Sequence, residues 1–159
     1  MIRSTKNGLL LITLFLLSAI NFVYGQEDNN QKVKLYKNAL YSNVGIGPIY
    51  FTGTGYYERM LTQKNKISTF VKIGIGGYSI WGTGGQYLLA QYGIITGAKR
   101  HHFELGAGPA YFLSGDLKEG EPPITATIGL RNQKPGGKFM FRMGISWPEA
   151  LYFGLGVSF

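Results

Sequence analysis

From about residue 38 onward the chain alternates with a period of two, the signature of strands with one apolar face. In LYFGLGVSF, residues Leu151, Phe153, Leu155, Val157 and Phe159 share one face, and Tyr152, Gly154, Gly156 and Ser158 share the other. Phe139, Phe141, Met143, Ile145 and Trp147 oppose Met140, Arg142, Gly144 and Ser146. Ile124, Ala126, Ile128 and Leu130 oppose Thr125, Thr127, Gly129 and Arg131. Phe103, Leu105, Ala107, Pro109 and Tyr111 oppose Glu104, Gly106, Gly108 and Ala110. Ile67, Thr69, Val71, Ile73 and Ile75 oppose Ser68, Phe70, Lys72, Gly74 and Gly76. Further strands are expected at about 38–48, 50–62 and 86–97. In the last of these, Leu88, Ala90, Tyr92 and Ile94 form the apolar face, whereas the phase over 38–62 stays open. Breaks fall at TQKNK, SIWGTGG, GAKRH, SGDLKEGEPP, NQKPGGK and WPE, each with the polar, Gly or Pro content of turns. The pattern predicts an all-β chain, an eight-stranded antiparallel up-and-down barrel.

Which way the apolar face points follows from the opposite face. There Lys72, Glu104, Arg131 and Arg142 share their rows with glycines. A soluble barrel of the lipocalin kind would carry several charged residues per strand on its outer face. Here each of these strands has about one. Long charged residues beside bare glycines fit a narrow interior, where Gly makes room for its neighbours. Turned toward lipid at mid-membrane, each Lys or Arg would cost about 2–4 kcal/mol. The reading is therefore a transmembrane β-barrel with a lumenal charge cluster of Lys72, Glu104, Arg131 and Arg142. A soluble lipocalin-like carrier is the inverted alternative. Glu104 is expected to pair with Arg131 or Arg142, because buried charges must be paired. Glu58 and Arg59 are adjacent, so only one of them can face inward.

Residues 1–25 read as a cleavable signal peptide. Arg3 and Lys6 precede an apolar run over 9–22, and Val23-Tyr24-Gly25 leads to Gln26. That run is shorter than the roughly 20 residues of a spanning helix. Residues 26–37 read as a flexible lead-in, and 38–159 as the barrel domain. Composition agrees: charged residues are 15 %, with 24 Gly and 23 aromatics among 159 residues, against about 25 % charged in soluble domains. With no Cys, disulfides and thiolate chemistry are excluded.

The export signal, the eight strands and the alternating segment ending in Phe159 together resemble the small eight-stranded outer-membrane barrels of Gram-negative bacteria. The segment KRHHFELGAGPAYF is similar to one seen in small uncharacterised members of that group. The resemblance implies residence in the outer membrane, contact with its lipids, and recognition by the barrel-assembly machinery. Leu151, Phe153, Leu155, Val157 and Phe159 would serve as the C-terminal assembly signal. It also implies that TQKNK, GAKRH and NQKPGGK face the periplasm while SIWGTGG, SGDLKEGEPP and WPE lie outside. The net charge of +8 is then explained by basic periplasmic turns, with no nucleic-acid partner.

The candidate chemistry is sparse. Some relatives of this size deacylate or palmitoylate lipid A, using a His with Ser and an acidic residue at the outer rim. Here His101 and His102 fall in a predicted periplasmic turn, far from Ser114 and Asp116. The Gly sets at 45–47, 74–77 and 106–108 lie within strands and lack the helix start that a phosphate loop needs. Tyr56, Tyr57, Tyr78, Tyr87, Tyr92, Tyr111, Tyr152, Trp81 and Trp147 are read as interfacial girdles. No catalytic residue, cofactor site or metal site is assigned, and the oligomeric state stays open. The expectation is a non-enzymatic barrel with a structural or interaction role and a side-chain-filled lumen. A lipid A-modifying enzyme is the alternative.

Overall fold

The structure, a computed structural model, describes residues 34–64, 66–97, 99–115 and 122–159. Asp116, Lys118, Glu119 and Glu121 of the long loop, and the signal peptide and most of the lead-in, lie outside the described residues. Eight strands follow in order: β1 (Asn38–Ile46), β2 (Tyr50–Gln63), β3 (Ile67–Ile80), β4 (Thr83–Thr96), β5 (His101–Phe112), β6 (Ile124–Gln133), β7 (Phe139–Trp147) and β8 (Ala150–Ser158). Each pairs antiparallel with its neighbours in sequence, and β8 pairs with β1 to close the barrel. At the seam Asn38 N donates to Phe159 O at 3.1 Å and Phe159 N donates to Asn38 O at 2.9 Å.

Two ladders deviate. The β2–β3 register shifts between Met60 and Thr62, so Leu61 is the extra residue of a bulge. The β4–β5 ladder is interrupted between Leu89 and Tyr92, opposite Pro109, which has no N–H to give. The expected break SIWGTGG is shorter than its composition implies. Ile80 pairs with Thr83, and only Trp81-Gly82 turn the chain. Gly82 has φ +85°, a conformation that costs an L side chain and suits a tight hairpin.

The strand faces separate by chemistry. Outward positions are apolar and exposed on every strand, among them Val44, Phe51, Ile73, Tyr92, Leu105, Ile128, Ile145 and Leu155. Glu58 faces inward and Arg59 outward, which fixes the phase of β2. Six charged residues sit on the eight strands, and five point into the lumen: Glu58, Lys72, Glu104, Arg131 and Arg142. The sixth, Arg59, lies opposite Asn38 at the start of β1, close to a barrel rim.

The interior is filled by large side chains set against glycines. A methyl group at Gly74 would come within 2.6 Å of the Tyr56 ring, and one at Gly76 within 2.7 Å of the Tyr87 ring. Tyr41 stacks on Tyr56 with ring centroids 5.0 Å apart. The girdle reading is thus corrected for four of its nine members. Tyr57, Tyr92, Tyr111 and Trp81 are exposed, but Tyr56, Tyr78, Tyr87 and Tyr152 are buried in the lumen. Each of these four falls on the inward phase of its strand, and phase outweighs the usual preference of Tyr for an interface. Trp147 also departs from its expected outward row. It is half-buried against the aromatic core, with its indole N–H enclosed.

Candidate functional site

Along the barrel axis the lumen falls into layers. At the end that holds the strand termini Gln63, Thr96 and Gln133, a small apolar plug is formed by Met60, Phe70 and Ile95, with Leu35 packed on it. Next comes a layer of ions. Arg131 makes a bidentate pair with Glu58, Nη1 to Oε1 at 2.8 Å and Nη2 to Oε2 at 2.5 Å. Arg131 Nε also donates to Glu104 Oε2 at 3.2 Å. Arg142 donates to the same carboxylate twice, from Nε to Oε2 at 3.2 Å and from Nη2 to Oε1. Lys72 Nζ lies 3.6 Å from Glu104 Oε1. All five side chains are essentially shielded from solvent.

Strand register explains why one carboxylate holds three cations. Arg131 and Arg142 are directly opposite each other on β6 and β7, a like-charge pair that repels unless an anion sits between. Glu104, from the neighbouring β5, supplies that anion. Aromatic faces carry part of the remaining positive field. The Arg142 guanidinium lies 4.2 Å from the Tyr41 ring centroid, and Lys72 Nζ lies 5.0 Å from that of Tyr56, within the range of cation–π attraction. Tyr41 in turn donates from its hydroxyl to Glu58 Oε2 at 3.2 Å.

The structure thus brings Lys72, Glu104, Arg131 and Arg142 together. It adds Glu58, which sequence reasoning left unplaced. The signal that could have found it was charge balance, since three buried cations call for more than one carboxylate. The second element of the sequence reading, Leu151, Phe153, Leu155, Val157 and Phe159, forms an exposed apolar row along and just beyond β8.

Beyond the ion layer the lumen turns aromatic and then polar. Thr54 Oγ1 and the Tyr87 hydroxyl are 2.5 Å apart. Gln91 donates to Thr125 at 2.6 Å and accepts from Thr127 at 3.0 Å. At this mouth the turn 147–149 folds Glu149 inward until it is fully buried. WPE is a turn, as expected, but its Glu149 is buried. Turn residues are ordinarily solvated, but this turn is three residues long and tilts its last side chain over the barrel opening.

The histidines sit at the opposite end. His101 is exposed. His102 is buried, with Nδ1 2.9 Å from Thr96 O and Nε2 3.2 Å from Gln133 O. Both ring nitrogens therefore face main-chain carbonyls, which ties the ends of β4 and β6 to β5. Ser114 lies just past the other end of the 12-residue β5, so roughly 40 Å of strand separates it from His102. Among the described residues no group of three or more His, Cys, Asp or Glu side chains is arranged to hold a metal ion.

These features define a class: a closed, eight-stranded, up-and-down β-barrel with an apolar exterior and an ion-paired, side-chain-filled interior. No protein-family model matches the chain, and no curated protein or solved structure matches it.

Proposed function

We propose that this chain is an exported outer-membrane barrel of a Gram-negative cell, non-enzymatic, with a structural or interaction role and a lumen closed by its own side chains. The observation that carries the reading is the sorting of charge: five of six charged strand residues point inward, while large apolar side chains stand exposed on all eight strands. Water gives no reason for that arrangement, and a hydrocarbon surround demands it. A lipocalin-like carrier would need the reverse, an apolar lumen able to admit a ligand. Here the lumen is occupied by Glu58, Lys72, Glu104, Arg131, Arg142 and a tyrosine layer. A lipid A-modifying enzyme would need a base near the outer rim, and the buried His engages carbonyls at the other one.

In this reading the alternating row from Leu151 to Phe159 is what the barrel-assembly machinery binds. The lipids of the outer membrane cover the apolar belt. The end that carries Lys64, Lys66, Lys99, Arg100, Lys134 and Lys138, all exposed, faces the periplasm. Fractionation of cells producing the protein tests the reading. It should sediment with outer membranes, require detergent for release, and migrate faster unheated than boiled on a denaturing gel. Recovery in the detergent-free soluble fraction would overturn it. Phe159→Asp should lower the assembled fraction several-fold, and Ala at Ser158 should lower it far less.

A further inference from the structure

The end of the barrel that carries the strand termini Gln63, Thr96 and Gln133 is ringed by positive charge. Three turns there hold two cations each, Lys64 and Lys66, Lys99 and Arg100, Lys134 and Lys138, all exposed. Lys34 and Lys37, also exposed, enter the same end ahead of β1. None of the ion pairs among the described residues includes any of these cations. Among the described residues no exposed Asp or Glu stands near them, because Glu58, Glu104 and Glu149 are all buried. The main chain fixes the ring in place. The carbonyl of Lys37 accepts from Met60 N, that of Lys66 from Gly97 N, that of Arg100 from Gln133 N and that of Lys138 from Ser158 N, at 2.7–3.0 Å. Each of these bonds ties a cation-bearing segment to the next strand around the barrel. Exposed apolar side chains begin at the same level, since Ile67 directly follows Lys66 and Phe139 directly follows Lys138.

We propose that this ring binds the anionic headgroups of the phospholipid leaflet that surrounds this end of the barrel, of the phosphatidylglycerol type. The inference rests on the membrane reading above and adds which lipid the rim selects. Cations spread over the whole perimeter, level with the edge of an apolar belt, fit a sheet that encircles the barrel. An acidic protein docked on one side would need its counter-charges gathered there. A zwitterionic headgroup carries its own ammonium beside its phosphate and offers little net attraction. Like charges crowded on a rim repel one another. A net negative lipid surface relieves that repulsion, with a pull that falls off within a Debye length.

The test reconstitutes the folded full chain in phosphatidylcholine vesicles that contain a trace of spin-labelled lipid, either phosphatidylcholine or phosphatidylglycerol. The spectrum separates label held against the barrel from label in the bulk bilayer. At low salt the parent should hold the phosphatidylglycerol label several-fold more than the phosphatidylcholine label. High salt should bring that ratio towards one. The combined variant Lys64→Gln, Lys66→Gln, Lys134→Gln and Lys138→Gln should lower it at low salt. The salt comparison decides the matter even where that variant does not fold. Equal retention of the two labels at low salt would overturn the proposal. So would a preference that salt leaves unchanged, or one that the folded variant keeps in full. Equal retention together with binding of poly-glutamate would assign the ring to an acidic partner in solution instead. No held label of either kind would mean that the chain does not sit in the bilayer, which overturns the membrane reading and this inference with it.

Discussion

The two ends of the lumen answer the same problem differently. Both bury carboxylates in a barrel too narrow for bulk water. In the ion layer, Glu104 and Glu58 are saturated by Arg131, Arg142, Lys72 and the Tyr41 hydroxyl. At the mouth, Glu149 accepts from Asn43 Nδ2 and makes no ion pair among the described residues. The first arrangement is complete within the chain and specifies how strands β2, β3, β5, β6 and β7 face one another. The second answers the ion layer's excess positive charge without a direct contact to it. Burial alone therefore does not report what a carboxylate contributes, because the partners decide its effect.

One chemical change at both ends tests that contrast most strongly. Glu104→Gln leaves Lys72 and Arg142 buried without their carboxylate and Arg131 with Glu58 alone, and should destabilise by about 3–5 kcal/mol, measured by urea unfolding of the protein refolded in detergent. Glu149→Gln removes a carboxylate that makes no ion pair among the described residues and should change stability by less than about 1 kcal/mol in the same measurement. Equal losses would erase the distinction between the two ends.

Packing between the two layers gives the next effect. Gly74→Ala pushes a methyl group into the Tyr56 ring and should cost about 1–3 kcal/mol. The double variant with Tyr56→Leu should recover part of it, as urea midpoints can show. The smallest change is expected at the mouth. Tyr152→Phe removes a buried hydroxyl without a partner and should be neutral within about 0.5 kcal/mol or slightly stabilising. Thr54→Val, by contrast, removes the short bond to the Tyr87 hydroxyl and should cost about 1 kcal/mol.

The period-two pattern made most of the fold legible. The count of eight, the antiparallel order, and the apolar faces of β3 through β8 follow from alternation, because a strand's side chains have only two directions to take. In β2 the alternation is blurred by apolar Tyr56 and Met60 on the inward row beside Glu58, so the sequence gives no preference between Glu58 and Arg59. The lumenal rows containing Lys72, Glu104, Arg131 and Arg142 were legible for the same reason as the fold. Their pairing was legible only as a need, since register across strands sets which cation meets which anion. Glu149 was not legible at all. Its direction depends on how a three-residue turn tilts, and no periodicity operates there.

The seam between β1 and β8 has a consequence for folding. Asn38 and Phe159 exchange main-chain hydrogen bonds, so the closing contact joins residues from nearly opposite ends of the described chain. Seven of the eight strand pairings are hairpins between neighbours and can form locally, while this one must wait until the rest are arranged. Until then β1 and β8 are two exposed edges, each a row of unpaired donors and acceptors beside bare Leu and Phe side chains, the arrangement most prone to pairing with another copy. The barrel thus passes from its most adhesive state to a state with no edge at all in one step, and the latch for that step is the short stretch of backbone around Phe159.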